Sequence, residues 1–551
     1  MTASGGPAPT ASPGQPPSTT PSGDRPRVLV TEPIDPAGLA LLRQVADVDL
    51  RTDLSPDALL DAVRACDALI VRSETPVTAA VIEAAPRLQV IGRAGVGVDN
   101  IDLDAATRRA VVVVNAPRAS TVAAAEHTLA LLLALVRHIP QADASVRAGR
   151  WERSRFVGVE VRDKVLGIVG LGQIGQEVAR RARGLAMHVI AHDPYLPAEV
   201  AARLGVPLVP LDEPLARSDV VTLHVPLTEA TRGMLGREAI ARMKPGARLI
   251  NAARGGLVDE EALLDALDRG HLAGAALDVF TQEPPRNPRL TAHPRVVLTP
   301  HLGASTAEAQ AAVAVDVARQ VVAVLQGGLA EHAVNAPIVP PEAAAALAPF
   351  ADLADRLGRF RGGVHGGRLG RVRLVYGGEL AELPTAPLQA AVLRGLLGPI
   401  TEERVNLANA PLVARRWGLE IVEERRPDER DPWPALLGVE VAAEDQRRAV
   451  AGTVIRGEPH VVRVDEYWVD LLPRGYLLVC HNDDRPGMIG KVGTMLGNAD
   501  VNIASMQVGR DRPRGRAIMV LGLDDPVPPD LLAELLTIPG IFDARLVALP
   551  P

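Results

Sequence analysis

The stretch GIVGLGQIGQEVAR, residues 167–180, decides the reading of this chain. An apolar strand runs into Gly170, Gly172 and Gly175, and a helix opens on the same residues, which is the setting in which a Gly-x-Gly-x-x-Gly turn holds a dinucleotide. Gly170 permits the tight turn, Gly172 lets backbone approach a pyrophosphate, and Gly175 lets helix and strand pack closely, while unpaired N–H groups at the helix start face the phosphates. A glycine-rich turn with no ligand is the alternative. Asp193 decides between them: it ends the next strand, HVIAHD, 18 residues after Gly175, where an acid accepts bonds from ribose hydroxyls. Pro194 and Tyr195 follow, with no adjacent arginine for a 2′-phosphate, so NAD is expected rather than NADP.

Working outward, strands and helices alternate on both sides of this turn. Upstream, RVLVTE, DALIVRS and LQVIGRAG are separated by helices near Ala37–Val45 and Val77–Ala85, a pattern that implies a parallel sheet. A long apolar helix near Ala123–Val136 leads into a second series, with KVLGIVG, GMLGRE, ARLINAARGG, AGAALDVF and RVVLTPH as its strands. The expected fold is therefore α/β, with two doubly wound, Rossmann-like parallel sheets. Ser305 reads as the N-cap of a helix that places Val313, Val317, Val321 and Leu325 on one face and returns the chain to the first domain. Prolines 337, 340 and 341 mark a linker into a mixed α/β region. The last 80 or so residues read strand, helix, strand, strand, helix, strand, the ferredoxin-like order.

Bulk composition narrows the function classes. With 551 residues, 47% hydrophobic and 23% charged, the chain has the balance of several globular domains. A net charge of -7 and a pI near 6.0 offer no general attraction to nucleic acid or anionic lipid, so neither is expected as a partner. Cys66 and Cys480 are the only cysteines, without the paired spacing of a metal site; no metal is expected, and a reducing cytoplasmic setting fits best. The apolar run Thr121–Val136 is interrupted by Glu126 and His127 and is too short for a membrane span. Residues 1–26, rich in Pro, Ser, Thr and Gly, read as a disordered tail.

Three residues just past the ends of second-series strands suit the oxidation of a hydroxy acid: Arg254 after LINAA, Glu283 after ALDVF and His301 after VVLTP. That reaction needs a base for the hydroxyl proton, a carboxylate to orient the base, and a forked cation for the substrate carboxylate. Each residue alone has an ordinary surface reading; their joint placement is what carries the inference.

NAARGGLVDEEAL, GAALDVFTQEPP and LTPHLGASTAEAQ, with GRAGVGVDNID upstream, resemble the signature segments of the D-isomer-specific 2-hydroxyacid dehydrogenase family, and the similarity runs from about Arg27 to the C-terminus. The resemblance implies that Arg254 binds the substrate carboxylate, that Glu283 supports His301, and that His301 is the acid/base. It implies that Gln173 and Ile174 touch the pyrophosphate, that Val225, Ala252 and Ala253 line the cofactor cleft, that Asp278 meets the carboxamide, and that Gly303 and Ala304 border the nicotinamide. It also implies a split substrate domain, residues 27–121 and 304–336, around an NAD-binding domain, residues 122–303. Residues 337–472 resemble an intervening regulatory domain, with RVNLANAPLVARRWGLE as its marker, and residues 473–551 an ACT domain.

Arg72 and Arg93, each after a first-domain strand, match positions implied to hold a phosphate, with Ser73 and Asn100 as polar neighbours. The implied substrate is thus 3-phospho-D-glycerate, oxidised to 3-phosphooxypyruvate in the first step of L-serine biosynthesis. Asn482, Asp484 and Asn502 are the implied contacts of an effector, L-serine. Trp151 matches a position implied to sit at a subunit contact, so a homodimer or homotetramer is expected. Another D-2-hydroxy acid (glycerate, lactate or 2-hydroxyglutarate), or a nucleotide-sensing, corepressor-like role on the same scaffold, remains the alternative.

Overall fold

Short runs of β-branched and leucine residues, buried on both faces, build the two parallel sheets of the N-terminal half. The computed structural model describes residues 25–328, 330–337, 341–364, 369–428, 432–443 and 446–550; the expected tail, residues 1–26, falls outside these up to residue 24. The first sheet has five parallel strands in the order Asp47–Leu50, Arg27–Val30, Ala68–Val71, Val90–Arg93, Val112–Val114. Val28, Val30, Ile70, Val90 and Val114 face a helix, Ala307–Leu325, whose Val313, Val317 and Val321 are buried against them. At about 1.5–3 kcal/mol for each such side chain, this stripe fixes the returning helix to the first domain. Its N-cap is Thr306, whose hydroxyl accepts from the Ala309 amide at 3.1 Å, one residue beyond the expected Ser305. The chain then threads back along the last strand, where Asn335 accepts from the Val113 amide at 2.8 Å.

The second sheet has six parallel strands, in the order Val296–Leu298, Gly274–Leu277, Arg248–Asn251, Val220–Leu223, Val165–Val169, His188–His192. Its central strand Val220–Leu223 is not the expected GMLGRE. That segment contributes only an isolated bridge from Leu235 to Val258 before the helix Arg237–Arg242, because Gly233 turns the backbone left-handed at φ 62°. The helix Thr121–Val136 crosses between the two domains and packs into the second core through Leu129, Leu132 and Leu135. Among the described residues no single helix is long and apolar enough to cross a membrane.

The C-terminal half holds a six-stranded mixed sheet and a four-stranded antiparallel one. The latter runs Ile503–Arg510, Arg516–Leu523, Gly475–Asp483, Ile541–Leu549 and carries helices Met488–Asn498 and Pro529–Leu535 on one face, the expected ferredoxin-like arrangement. Its other face, with Leu477, Val479, Ile518, Val520 and Val547, shares a core with the long helix Pro341–Val364. Packing is therefore continuous across residue 472.

Candidate active site

Strand Val165–Val169 delivers Gly170 at φ 94°, where an added Cβ would lie 2.6 Å from the His224 carbonyl oxygen. At Gly175 a Cβ would lie 2.1 Å from the Gly170 oxygen, so the helix Gln173–Gly184 rests directly on the turn. Gly172 has nothing within 4 Å of its Cβ position; its open face is the room that an approaching pyrophosphate needs. Gln173 and Ile174 start the helix. Asp193 closes the turn, one carboxylate oxygen accepting from the Leu171 amide at 2.8 Å and the other from the Tyr195 amide at 2.9 Å.

A cleft of about 540 Å³ opens between the two parallel-sheet domains. Ile174, Val225, Ala252, Ala253, Gly303 and Ala304 line its nucleotide side. Arg72, Ser73, Arg93 and Asn100 line the opposite wall, and Arg254, Glu283 and His301 stand between. The chain thus brings together residues from seven segments, each at or just past the end of a different parallel strand. His224 also lines the cleft; desolvation drops its imidazole to about 4, so it is neutral at physiological pH.

His301 and Glu283 form the reactive pair. Glu283 Oε2 is 2.8 Å from His301 Nδ1, and its Oε1 accepts from the Phe280 amide at 3.1 Å. Burial pushes the Glu283 carboxyl up, but the His301 hydrogen bond and charge, with the Phe280 amide, outweigh it and hold the group below the ordinary glutamate value. It is therefore ionised at neutral pH, and Nε2 of His301 is left for a ligand. His301 has φ 55°, a left-handed conformation that costs a β-carbon-bearing residue about 1–2 kcal/mol. The strain is held by its own amide, which donates to the carbonyls of Asp278 (2.9 Å) and Thr299 (3.0 Å).

Asp278 sits beneath this loop rather than on the cleft surface. Only 1% exposed, its carboxylate accepts from Thr299 Oγ1 (2.6 Å) and from the amides of Leu302 (2.7 Å) and Gly303 (2.8 Å), and pairs with His127 Nε2 at 3.1 Å. Burial would raise it; His127, Thr299 and Leu302 hold it below the ordinary aspartate value. These donors make the carboxylate a brace for the His301 loop. Asn100 likewise spends both amide hydrogens on backbone, at the carbonyls of Arg72 (2.8 Å) and Thr75 (2.7 Å), and so shapes the wall. Glu32, buried, pins the same loop by accepting from the amides of Arg72 (2.9 Å) and Thr75 (3.0 Å).

The arginines carry the electrostatics. Arg93 is largely buried, and burial first, then the neighbouring Arg254, lowers it to about 10. Its Nη1 donates to the Ala94 carbonyl at 3.3 Å, while its Nε is buried and makes no hydrogen bond among the described residues. Arg254 donates from Nε to Asp99 at 2.9 Å and from Nη1 to the Ala253 carbonyl at 2.7 Å. Asp99, Glu32, His127 and His224 were not singled out by sequence reasoning, and only the position of Asp99 within GRAGVGVDNID offered a signal.

The three effector candidates do not meet within one chain. Asn482 pairs in register with Ala517 and Asn502 donates to Asp524 at 2.6 Å, placing them at opposite ends of the strand Arg516–Leu523. At the ~3.3 Å rise of a strand they are roughly 20 Å apart. Asp484 lies beside the Asn482 end, accepting from the Arg514 amide at 2.9 Å.

A glycine turn with its acid on one side of an interdomain cleft, and an ionised carboxylate–histidine pair with arginines in the same cleft, define a two-domain NAD-dependent dehydrogenase. Residues 129–303 match the NAD binding domain of D-isomer specific 2-hydroxyacid dehydrogenases, residues 346–465 the D-3-phosphoglycerate dehydrogenase intervening domain, and residues 476–540 the ACT domain. The chain is 46% identical over 524 residues to D-3-phosphoglycerate dehydrogenase of Synechocystis sp., covering 95% of each chain. It is 45% identical to that of Methanocaldococcus jannaschii, covering 95% of this chain and all of the other. Among solved structures, the TT0316 protein from Thermus thermophilus is 40% identical with a TM-score of 0.53, covering 56% of this chain and 99% of that one. D-lactate dehydrogenase from Aquifex aeolicus, complexed with NAD and lactic acid, is 27% identical with a TM-score of 0.51 over 56% of this chain and 99% of its own. The chain belongs to the D-3-phosphoglycerate dehydrogenase family, within the D-isomer specific 2-hydroxyacid dehydrogenases.

Proposed function

We propose that the protein oxidises 3-phospho-D-glycerate to 3-phosphooxypyruvate with NAD, opening L-serine biosynthesis. The observation that carries the reading is the cleft in which Arg72, Arg93 and Arg254 surround the His301–Glu283 pair. NAD, when bound, supplies the hydride acceptor; the open face at Gly172, the first-turn residues Gln173 and Ile174, and the Asp193 carboxylate are the groups that would hold it. Arg254 takes the substrate carboxylate. Arg93 and Arg72, with Ser73, take the phosphate at the far end. His301 Nε2 accepts the hydroxyl proton as the C2 hydride leaves and the carbonyl forms, and Glu283 stabilises the resulting imidazolium. Closure of the two domains excludes water from the transfer.

The C-terminal ACT domain supports amino-acid control, with L-serine as the effector. Because Asn482 and Asn502 lie at opposite ends of one strand, a serine that touches both needs a second copy of the chain. Trp151 and Val157, 78% and 76% exposed, favour a homodimer or homotetramer, and two buried free cysteines suit the cytoplasm.

The test is NADH formation with 3-phospho-D-glycerate beside unphosphorylated D-glycerate, each with and without L-serine. Strong preference for the phosphorylated acid, reduced by serine, is expected. Turnover of neither, with tight NADH binding, would return the reading to a nucleotide-sensing protein; equal turnover of both would remove Arg72 and Arg93 from the substrate site.

A further inference from the structure

Arg254 and Asp99 are 155 residues apart and follow strands of different sheets, Arg248–Asn251 and Val90–Arg93. Their 2.9 Å ion pair therefore crosses the cleft between the nucleotide domain and the substrate domain. The contact is built on both sides. Behind Arg254, Asn251 donates to its carbonyl at 2.8 Å, and a Cβ at Gly255 would lie 1.8 Å from the Phe280 oxygen, so the turn cannot drift. In front of it, a Cβ at Gly97 would lie 2.0 Å from Arg254 Nη2 and 2.7 Å from the Asp99 carboxylate, so the bare Gly97 backbone leaves the room that the ion pair occupies.

A guanidinium can grip a carboxylate by either of two edges, the side formed by Nε and Nη2 or the end formed by the two Nη atoms. Asp99 occupies Nε. Nη1 spends one hydrogen on the Ala253 carbonyl, and Nη2 makes no hydrogen bond among the described residues, so the free edge is the terminal one. We infer that Asp99 is a positioning residue: it selects the edge that Arg254 presents to the substrate carboxylate, and because it belongs to the other domain it makes that presentation conditional on the two domains being together. Its charge also offsets the crowding of Arg254 and Arg93, both of which it faces. This rests on the proposed role of Arg254 as the carboxylate ligand.

A double-mutant cycle on the full chain tests it. Asp99→Ala should raise KM for 3-phospho-D-glycerate about tenfold, with kcat far less affected and NADH affinity, read by fluorescence, unchanged. Asp99→Asn, whose amide oxygen can still accept from Nε, should recover part of the loss. In an Arg254→Ala background, Asp99→Ala should change KM no further. The same factor in both backgrounds, or no change in KM in the first, would overturn the inference. A wild-type chain that does not turn over phosphoglycerate would sink the substrate assignment alone. The cycle is then read as oxalate binding to the NADH complex, a carboxylate probe that needs no turnover, with the same coupling expected.

Discussion

Glu283→Gln exchanges one oxygen for an NH2 group and should be far more damaging than its size suggests. The wild-type carboxylate serves two donors, His301 Nδ1 at 2.8 Å and the Phe280 amide at 3.1 Å, one on each oxygen. An amide has a single acceptor oxygen, so one of the two N–H groups must face another donor. A misplaced or unsatisfied donor costs about 1–3 kcal/mol. The second loss is charge opposite the imidazolium that forms in the reaction. At 2.8 Å the Coulomb attraction is about 1.5 kcal/mol in water-like surroundings and about 6 kcal/mol at an effective dielectric constant near 20. Both side chains are about two-fifths exposed, 40% and 38%, so a value near the low end, about 2 kcal/mol, applies. Together these lower kcat roughly 10²–10⁴-fold. Steady-state NADH formation measures kcat, and NADH fluorescence titration checks the cofactor site. A loss under tenfold, or a parallel loss of NADH affinity, would refute the argument that Glu283 acts through His301.

Gly172→Ala should leave the melting temperature unchanged, since its Cβ meets nothing within 4 Å, yet weaken NADH binding at least tenfold by occupying the pyrophosphate's path. Gly175→Ala, with its Cβ 2.1 Å from the Gly170 oxygen, should instead lower the melting temperature, and a swap of these two outcomes would mean the turn is misread. Burial and the neighbouring Arg254 lower Arg93, yet a guanidinium keeps its charge at any pH at which the protein stays folded. Arg93→Gln should accordingly raise KM for 3-phosphooxypyruvate, followed through NADH oxidation, at least tenfold and leave KM for the unphosphorylated analogue unchanged; an equal rise for both would remove Arg93 from the phosphate site. In the C-terminal half, burial raises Asp465, but hydrogen bonds from His481, Arg448 and the Ala449 amide outweigh it and bring it to about 2. A depressed carboxyl contributes stability above its unfolded value of 3.8 that is lost as pH falls toward 2. Asp465→Asn should thus cost about 2 kcal/mol in urea unfolding at pH 7, and the difference should shrink below about pH 4; a constant difference down to pH 2 would contradict it.

What could be read from residues alone was what local chemistry determines. The glycine turn, Asp193, and the Arg254, Glu283 and His301 set each sit at the end of an apolar strand, and a strand followed by a turn positions its next side chain whatever the rest of the chain does. The buried β-branched runs marked most of the parallel strands for the same reason, and the C-terminal order of elements was legible throughout. GMLGRE misled because a hydrophobic pair between glycines imitates a strand, whereas Val220–Leu223 owes its central place to neighbours on both sides. Tertiary structure alone decided which polar groups face the cleft and which are spent. Asp278 is turned into the His301 loop by four donors, Asn100 into the backbone, and Asp99 toward Arg254 across the domain boundary. Asn482 and Asn502 are parted by antiparallel register, which reverses direction between strands and so carries residues that are close in the motif to opposite ends of a sheet. Hydrogen bonds between distant segments depend on how the domains pack, and no spacing within one segment encodes that.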